Sequence, residues 1–339
     1  MPVRSSVKGR KMGEDGWIFD LGSRAAVSMA AALRCSAQGK GLQIDRDHIE
    51  MGGIGHRVLE ELLPEKLLSY LYGLRVGVKP PILVIRNCID CGGLPPTPAT
   101  GFADDMALAH VDAFLLGLYS IAGIAPITYG FENDGRFARN VVPHPDHETA
   151  ETSWGFTREI SWHQDNNFQP FEFQFNVGAA VPAMPRYLAF MGLRNRQRVA
   201  TEVLSSMAIL RRLDARDITV ASSGAFWIAV PESVRAGRDK ARRAALIVER
   251  DGVFYTRFDM TAGIRPMDHD AAQALAAIRV AVCASEADAR HVILDPGDCL
   301  LLDNYRAMHR RKSFSMMAAG QGRWLRRIYG TRVTNSNRV

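Results

Sequence analysis

Gly322-Arg-Trp-Leu-Arg-Arg-Ile-Tyr329, close to the end of the chain, reads as a β-strand that carries arginine on both faces. Side chains alternate along a strand, so Arg323, Leu325 and Arg327 share one side and Trp324, Arg326 and Ile328 the other. Either side sets a guanidinium among bulky apolar groups. An arginine there either turns outward, covering apolar surface with its stem, or lies inside and needs a carboxylate partner. Upstream, His291-Val-Ile-Leu294, the tight turn Asp295-Pro-Gly-Asp298 and Cys299-Leu-Leu-Leu302 read as strand, turn and strand. Phe171-Glu-Phe-Gln-Phe-Asn-Val177 alternates apolar and polar residues strictly, which predicts a half-buried strand. Tyr187–Leu193 and Gly252–Phe258 are further strands, with helical insertions over Val199–Leu213 and Asp270–Ala281.

The first 130 residues lean the other way. Ala25–Cys35 and Val58–Tyr72 carry apolar residues at three- and four-residue intervals, and Asp104 and Asp105 start a long helix over Ala103–Ala122. One short β-branched strand, Pro81–Arg86, interrupts them, followed by the turn-rich stretch Cys91–Thr100. Helices followed by many short strands predict a mainly β protein with flanking helices, a sandwich or double-stranded β-helix (jelly roll). The expected organisation is a flexible basic arm over residues 1–20, with Arg4, Lys8, Arg10 and Lys11, and one domain over 21–339. That domain is helical to about residue 130, with its jelly-roll core over about 80–335.

Composition narrows the function classes. The 42 Lys and Arg against 36 Asp and Glu leave a net +6, dispersed without the basic stripe and interleaved aromatics of a nucleic-acid groove. No apolar run follows the basic N-terminus, and Ala113–Ile127 is too short to span a membrane, so a cytoplasmic protein is expected. Five cysteines, an odd number, read as reduced thiols, and Cys88 and Cys91 lack the second pair of a zinc ribbon. Gly52-Gly-Ile-Gly55 has no Walker lysine and reads as a turn.

Chemistry concentrates in Trp162-His-Gln-Asp165 and Asn304-Tyr-Arg-Ala-Met-His309. His163 and Asp165, two apart on a strand, point the same way and can meet one metal ion; His309 is a third candidate from a distant strand. Two imidazoles and one carboxylate on one face of an octahedron leave three sites open, as non-haem iron(II) oxygenases require. A dicarboxylate co-substrate would also suit a bidentate guanidinium such as that of Arg323.

The pattern His163-X-Asp165, Asn304-X-Arg306-X-X-His309 and Arg323-Trp324-Leu325 resembles the clavaminate synthase-like 2-oxoglutarate oxygenases, which include arginine and asparagine β-hydroxylases of peptide-antibiotic pathways. The resemblance runs from about Val84 to the end and is best after Leu294. It implies a cupin-like jelly roll, with Fe(II) held by His163, Asp165 and His309, and 2-oxoglutarate and O2 as co-substrates. It further implies that Arg323, assisted by Thr201, binds the distal carboxylate of 2-oxoglutarate, and that Arg327 faces a substrate carboxylate. Asp259 falls where relatives place acidic substrate contacts, against the alternative of an ion pair with Arg257. Arg139 falls where relatives have a substrate-contacting glutamine, against a surface role; His144 and His147 are lid or plain loop residues. Asp165 departs from the glutamate frequent in the group, and the stretch Phe171–Phe190 is longer than in clavaminate synthase. The activity implied is hydroxylation of an unactivated C–H bond in a free L-amino acid or close derivative, with release of succinate and CO2. Desaturation or cyclisation is open to the same chemistry, whereas a carboxylate at position 165 argues against halogenation. A zinc hydrolase and a non-catalytic cupin-like binding protein are the competing readings; in the first, Arg323 would have no purpose.

Overall fold

The computed structural model describes residues 9–77, 79–150, 154–174, 183–230, 241–261 and 263–332. Its centre is an eight-stranded sheet ordered Arg10–Lys11, Gly16–Asp20, Ile82–Arg86, Cys299–Asp303, Tyr187–Arg194 and Trp324–Arg332, with Ile124–Ile127 and Ala138–Val141 both pairing with the last of these. A four-stranded sheet, Arg290–Ile293, Ala200–Ser205, Ala307–Arg311 and Ile160–His163, lies against it. Alternation decides which side chains lie between the sheets. Leu188, Phe190, Leu300, Leu302 and Leu325 of the large sheet pack with Val203, Val292 and Ala307 of the small one. Their neighbours Ala189, Met191, Leu301, Trp324 and Ile328 point the other way, into a core shared with the N-terminal helices. The outer face of the small sheet, with Trp162, Leu204 and Met308, is covered by the helix His269–Ala284 and neighbouring short elements.

Local chemistry explains the helical layer. Helix Asp105–Ala122 is capped by the Asp104 carboxylate, which accepts from the Met106 amide, and ends at Gly123 in the left-handed region with φ 67°. It is long and apolar enough to cross a membrane, yet 78% of that window is buried inside the protein. The predicted helix Val58–Tyr72 is instead two, Ile44–Leu62 and Glu65–Val76. Leu63, preceding Pro64, is extended at ψ 146°, because the proline ring disfavours a helical residue before it.

Four further expectations need correction. Gly52–Gly55 is no turn but lies inside helix Ile44–Leu62, where a Cβ on Gly55 would sit 1.9 Å from the Ala113 carbonyl oxygen. Glycine there lets two helices touch backbone to backbone. The predicted strand Phe171–Val177 is, over Glu172–Gln174, a 3-10 turn. Gln174 closes it by donating its amide to the Phe171 carbonyl at 2.9 Å and accepting the Phe171 amide on its side chain at 3.1 Å. Phe171 and Phe173 stack at 5.3 Å and pack with Tyr255 and Tyr305, while 175–177 lie outside the described residues. The helix expected over Val199–Leu213 begins as the strand Ala200–Ser205, and only Ser206–Leu210 is helical, with Ser205 as its cap. The basic arm is not free along its whole length: Gly16–Asp20 runs parallel to Ile82–Arg86 and buries Phe19 in the core.

Candidate active site

One cavity of about 490 Å³ opens between the two sheets, and His163, Asp165, His309, Thr201, Arg323, Arg327, Asp259 and Arg139 all line it. The two histidines reach it from facing strands, with His309 directly opposite His163 in the register. Their rings lie 4.3 Å apart. Asp165 follows the end of its strand and is fixed through its backbone. Buried Asn304 accepts the Asp165 amide on its side-chain oxygen at 3.0 Å and donates to the Asp165 carbonyl at 3.0 Å and to the Pro185 carbonyl at 2.8 Å. Gln164, also at the cavity wall, accepts from the Phe258 amide and the Thr256 hydroxyl and so braces the segment.

The three side chains converge. Asp165 Oδ1 is 3.1 Å from His163 Nε2 and 3.6 Å from His309 Nε2, and one donor atom from each residue lies within 4.8 Å of the others. His163 Nδ1 sits 2.8 Å from the Ser161 carbonyl; a proton held there leaves the Nε2 lone pair facing Asp165. Burial, then the neighbouring His163 charge, pushes His309 down to about 3, so it is a neutral donor at working pH. For His163 burial works downward but is outweighed by the hydrogen bond and charge of Asp165, and its pKa rises. Burial would raise the Asp165 carboxyl, yet Arg327 foremost, then His309 and His163, hold it well below the carboxylate range.

Arg323 occupies another part of the cavity wall. It is 3% exposed, and its Nη2 donates to Thr201 Oγ1 at 3.1 Å. Its Nε has no partner, and no carboxylate lies within ion-pair distance among the described residues. Burial, then the charge of Arg311, lowers its pKa to about 9. A buried cation without an anion is expensive, so this wall suits a negatively charged ligand.

A family model described as the taurine catabolism dioxygenase TauD, TfdA family, matches residues 178–329. Over 304 residues the chain is 27% identical to an enduracididine beta-hydroxylase of Streptomyces hygroscopicus, spanning 80% of this chain and 83% of that protein. Over 303 residues it is 24% identical to an L-ornithine/L-arginine 3-hydroxylase of Catenulispora acidiphila, spanning 82% and 84%. Its fold matches that of the non-heme iron oxygenase OrfP in complex with Fe, succinate and (3R,4R)-dihydroxy-L-Arg, with TM-score 0.78 over 95% of this chain and 96% of that one, at 23% identity. In sequence the chain is similar to amino-acid hydroxylases, over residues 178–329 it matches the TauD/TfdA family model, and its fold is that of the OrfP structure. The cofactors of such an oxygenase are Fe(II) and 2-oxoglutarate, with O2 as co-substrate. The donor set fits both: two neutral-capable imidazoles and a carboxylate suit the metal, and the unpaired Arg323 suits the diacid.

The remaining predicted residues are placed as follows. Arg327 donates to Asp165 Oδ2 at 2.9 Å and to Glu132 Oε1 at 2.5 Å. Arg139, opposite Arg327 in the register, is 3.4 Å from Glu132 Oε1, and its guanidinium lies 4.7 Å above the Trp154 ring. Asp259 accepts from the Thr261 amide at 2.7 Å and from Asn167 Nδ2 at 3.4 Å. It does not pair with Arg257, which donates to the Gln169 carbonyl and Gln174 side chain and covers Phe171 at 4.1 Å. His144 and His147 pack at a tilt against Trp154, with ring centroids at 5.3 and 5.2 Å, and His147 reaches the cavity. Glu132 and Tyr329 were missed. Tyr329, whose hydroxyl lies 3.1 Å from both Asp165 Oδ2 and Glu132 Oε1 and can donate to either, shares the face of Arg323 and Arg327 by alternation alone. Glu132 has no local signal; only the demand of buried arginines for an acid points to it.

Proposed function

We propose that this protein is an Fe(II)- and 2-oxoglutarate-dependent oxygenase that hydroxylates an unactivated C–H bond of a free L-amino acid or close derivative, releasing succinate and CO2. The observation that carries the reading is the convergence of His163, Asp165 and His309 in the cavity that also holds buried, carboxylate-free Arg323. A zinc hydrolase would use the same three ligands and leave that guanidinium without a function.

When bound, the iron and 2-oxoglutarate supply the oxidant, and decarboxylation of the diacid leaves succinate. The chain's own residues do the positioning. His163, Asp165 and His309 hold the metal, with Asn304 and Gln164 fixing the backbone beneath Asp165. Arg323, steadied by Thr201, grips the distal carboxylate of 2-oxoglutarate. Arg327 meets the substrate carboxylate, and Glu132 beside it takes the α-ammonium that an amino acid must carry one atom away. Arg139 walls this end of the chamber over Trp154. Asp259 and Asn167 face the substrate side chain and favour a cationic or hydrogen-bonding one. Phe131, Phe168 and Phe190 exclude water from the reacting centre. The sandwich of large and small sheets around this cavity supports a jelly roll, and five free cysteines suit a reducing cytoplasm.

Protein supplied with Fe(II), ascorbate and 2-oxoglutarate is tested against a panel of amino acids for stimulated succinate formation, with mass spectrometry of the product. A gain of sixteen mass units on one amino acid supports the reading. No 2-oxoglutarate binding, or hydrolysis with zinc in place of iron, would overturn it.

A further inference from the structure

The anion pocket around Arg323 has a second cation facing it. In the small sheet, Ala307–Arg311 pairs with Ala200–Ser205 so that His309 lies opposite Val203 and Arg310 opposite Glu202, and the register runs on toward Arg311 and Thr201. Alternation then separates the two adjacent arginines. Arg310 turns to the outer face, where it pairs with Glu202 at 2.6 Å and Glu286 at 2.7 Å and covers Trp162 at 4.4 Å. Both arginines border the cavity, but Arg311 shares the side of the strand that carries His309 and lies beside Thr201 and Arg323. Its contacts differ in kind from those of Arg310. Nη1 donates to the Lys312 carbonyl at 2.9 Å and Nη2 to the Gly155 carbonyl at 2.8 Å, and the guanidinium lies 4.9 Å from the Phe314 ring. Like Arg323, it is buried and has no carboxylate within ion-pair distance among the described residues. Two buried guanidinium ions thus line one cavity; Glu159, the acid whose charge reaches Arg311, lies beyond ion-pair distance of it and pairs with Lys312 at 2.8 Å, so a bound anion would balance the pair.

We infer that Arg311 is the second cation of the 2-oxoglutarate pocket: Arg323 grips the distal carboxylate directly, and Arg311, held in place by the Lys312 and Gly155 carbonyls, adds the charge that makes a diacid preferred over a monoacid. The inference rests on the proposed function and deepens it. It also assigns the two arginines after His309 opposite tasks, one closing an ion-pair network outside the sheet and one charging the cavity inside it.

2-Oxopentanoate tests this, because it is 2-oxoglutarate with a methyl group in place of the distal carboxylate. Calorimetric titration of both acids into anaerobic Fe(II)-loaded protein gives the diacid preference of the wild type and of Arg311→Gln and Arg311→Lys. Gln keeps donors for the carbonyls and removes the charge; Lys keeps the charge. The Gln variant should lose about tenfold in 2-oxoglutarate affinity, the scale of one charge contact of about 1.4 kcal/mol, with 2-oxopentanoate affinity unchanged. The Lys variant should retain the preference within about threefold. Thermal unfolding of the metal-free variants reports any structural loss separately. A Gln variant with the full wild-type preference, or with equal losses for both acids, would overturn the inference and leave Arg311 a structural residue. A wild type without any preference for the diacid would instead sink the reading of Arg323 on which it stands.

Discussion

Replacing Arg323 by methionine should move stability and co-substrate affinity in opposite directions. The side chain is 3% exposed, with Thr201 as its hydrogen-bond partner and no carboxylate in reach among the described residues. Burial, then Arg311, lowers its pKa from 12.5 to about 9. At about 1.4 kcal/mol per tenfold change, that fall is a cost on the order of 5 kcal/mol in the metal-free protein. It is fully present below pH about 9, where the group is charged both folded and unfolded, and fades only above that value. Methionine removes the cation and keeps most of the volume. If cavity water already relieves about two-thirds of the cost, a gain of about 1–2 kcal/mol remains. For 339 residues at about 2 cal/mol/K each, that is about 2–3 °C in Tm. Against this, removing one member of a buried charge pair costs about 3–5 kcal/mol, so 2-oxoglutarate binding should weaken at least about a hundredfold. Scanning calorimetry of the metal-free protein and titration of 2-oxoglutarate into the Fe(II)-loaded protein measure the two quantities. A lower Tm with unchanged affinity would refute the reasoning, since Arg323 would then be a structural group already satisfied by the protein.

Other perturbations act on the metal ligands and the scaffold. Asp165→Ala should abolish turnover and weaken metal binding by at least about a hundredfold, because it removes a ligand and also a carboxylate partner of Arg327; wild-type turnover would end the assignment. Metal affinity should fall on acidification through a pKa above the ordinary imidazole value, because the His163 proton stabilised by Asp165 must leave before the metal binds. His309, at about 3, stays neutral throughout, so a metal titration against pH should show one proton released and not two. Gly55→Val should destabilise the fold by about 3 kcal/mol or more, since its Cβ would overlap the Ala113 carbonyl at 1.9 Å; chemical denaturation measures it, and a variant within about 0.5 kcal/mol of wild type would contradict the close helix contact.

What the chain disclosed before folding depended on the range of the interaction. Alternation over residues 322–329 assigned the faces of Arg323 and Arg327 because strand geometry is local and period two admits only two answers. Asn304 and His309 were legible for the same reason, as fixed offsets within one segment. Glu132 was not, because its importance comes from Arg327, 327 − 132 = 195 residues away in the chain. Phe171-Glu-Phe-Gln-Phe175 misled for a physical reason: alternation records burial on one side, and a 3-10 turn folding two of its phenylalanines onto Tyr255 and Tyr305 satisfies the same pattern. Gly52–Gly55 misled because glycine serves close helix packing as well as turns, and the sequence around it does not reveal the partner helix.

The strand Trp324–Arg332 and the residue before it show why buried arginines must be judged by the acids around them. Arg326, facing the helices, is met by Asp112 at 2.7 Å and Asp105 at 2.8 Å, both on helix Asp105–Ala122, and by Asn140 at 3.1 Å. Its charge is neutralised inside the protein, so it ties sheet to helix and has no call for a ligand. Arg327 is met by Glu132 and Asp165, one of which is also a candidate metal ligand, so its neutralisation is shared with the site. Arg323 is met by a hydroxyl alone. Arg326 and Arg327 are thus each compensated by two carboxylates and Arg323 by none among the described residues, and the energy withheld from folding at Arg323 is what would become available if an anion entered.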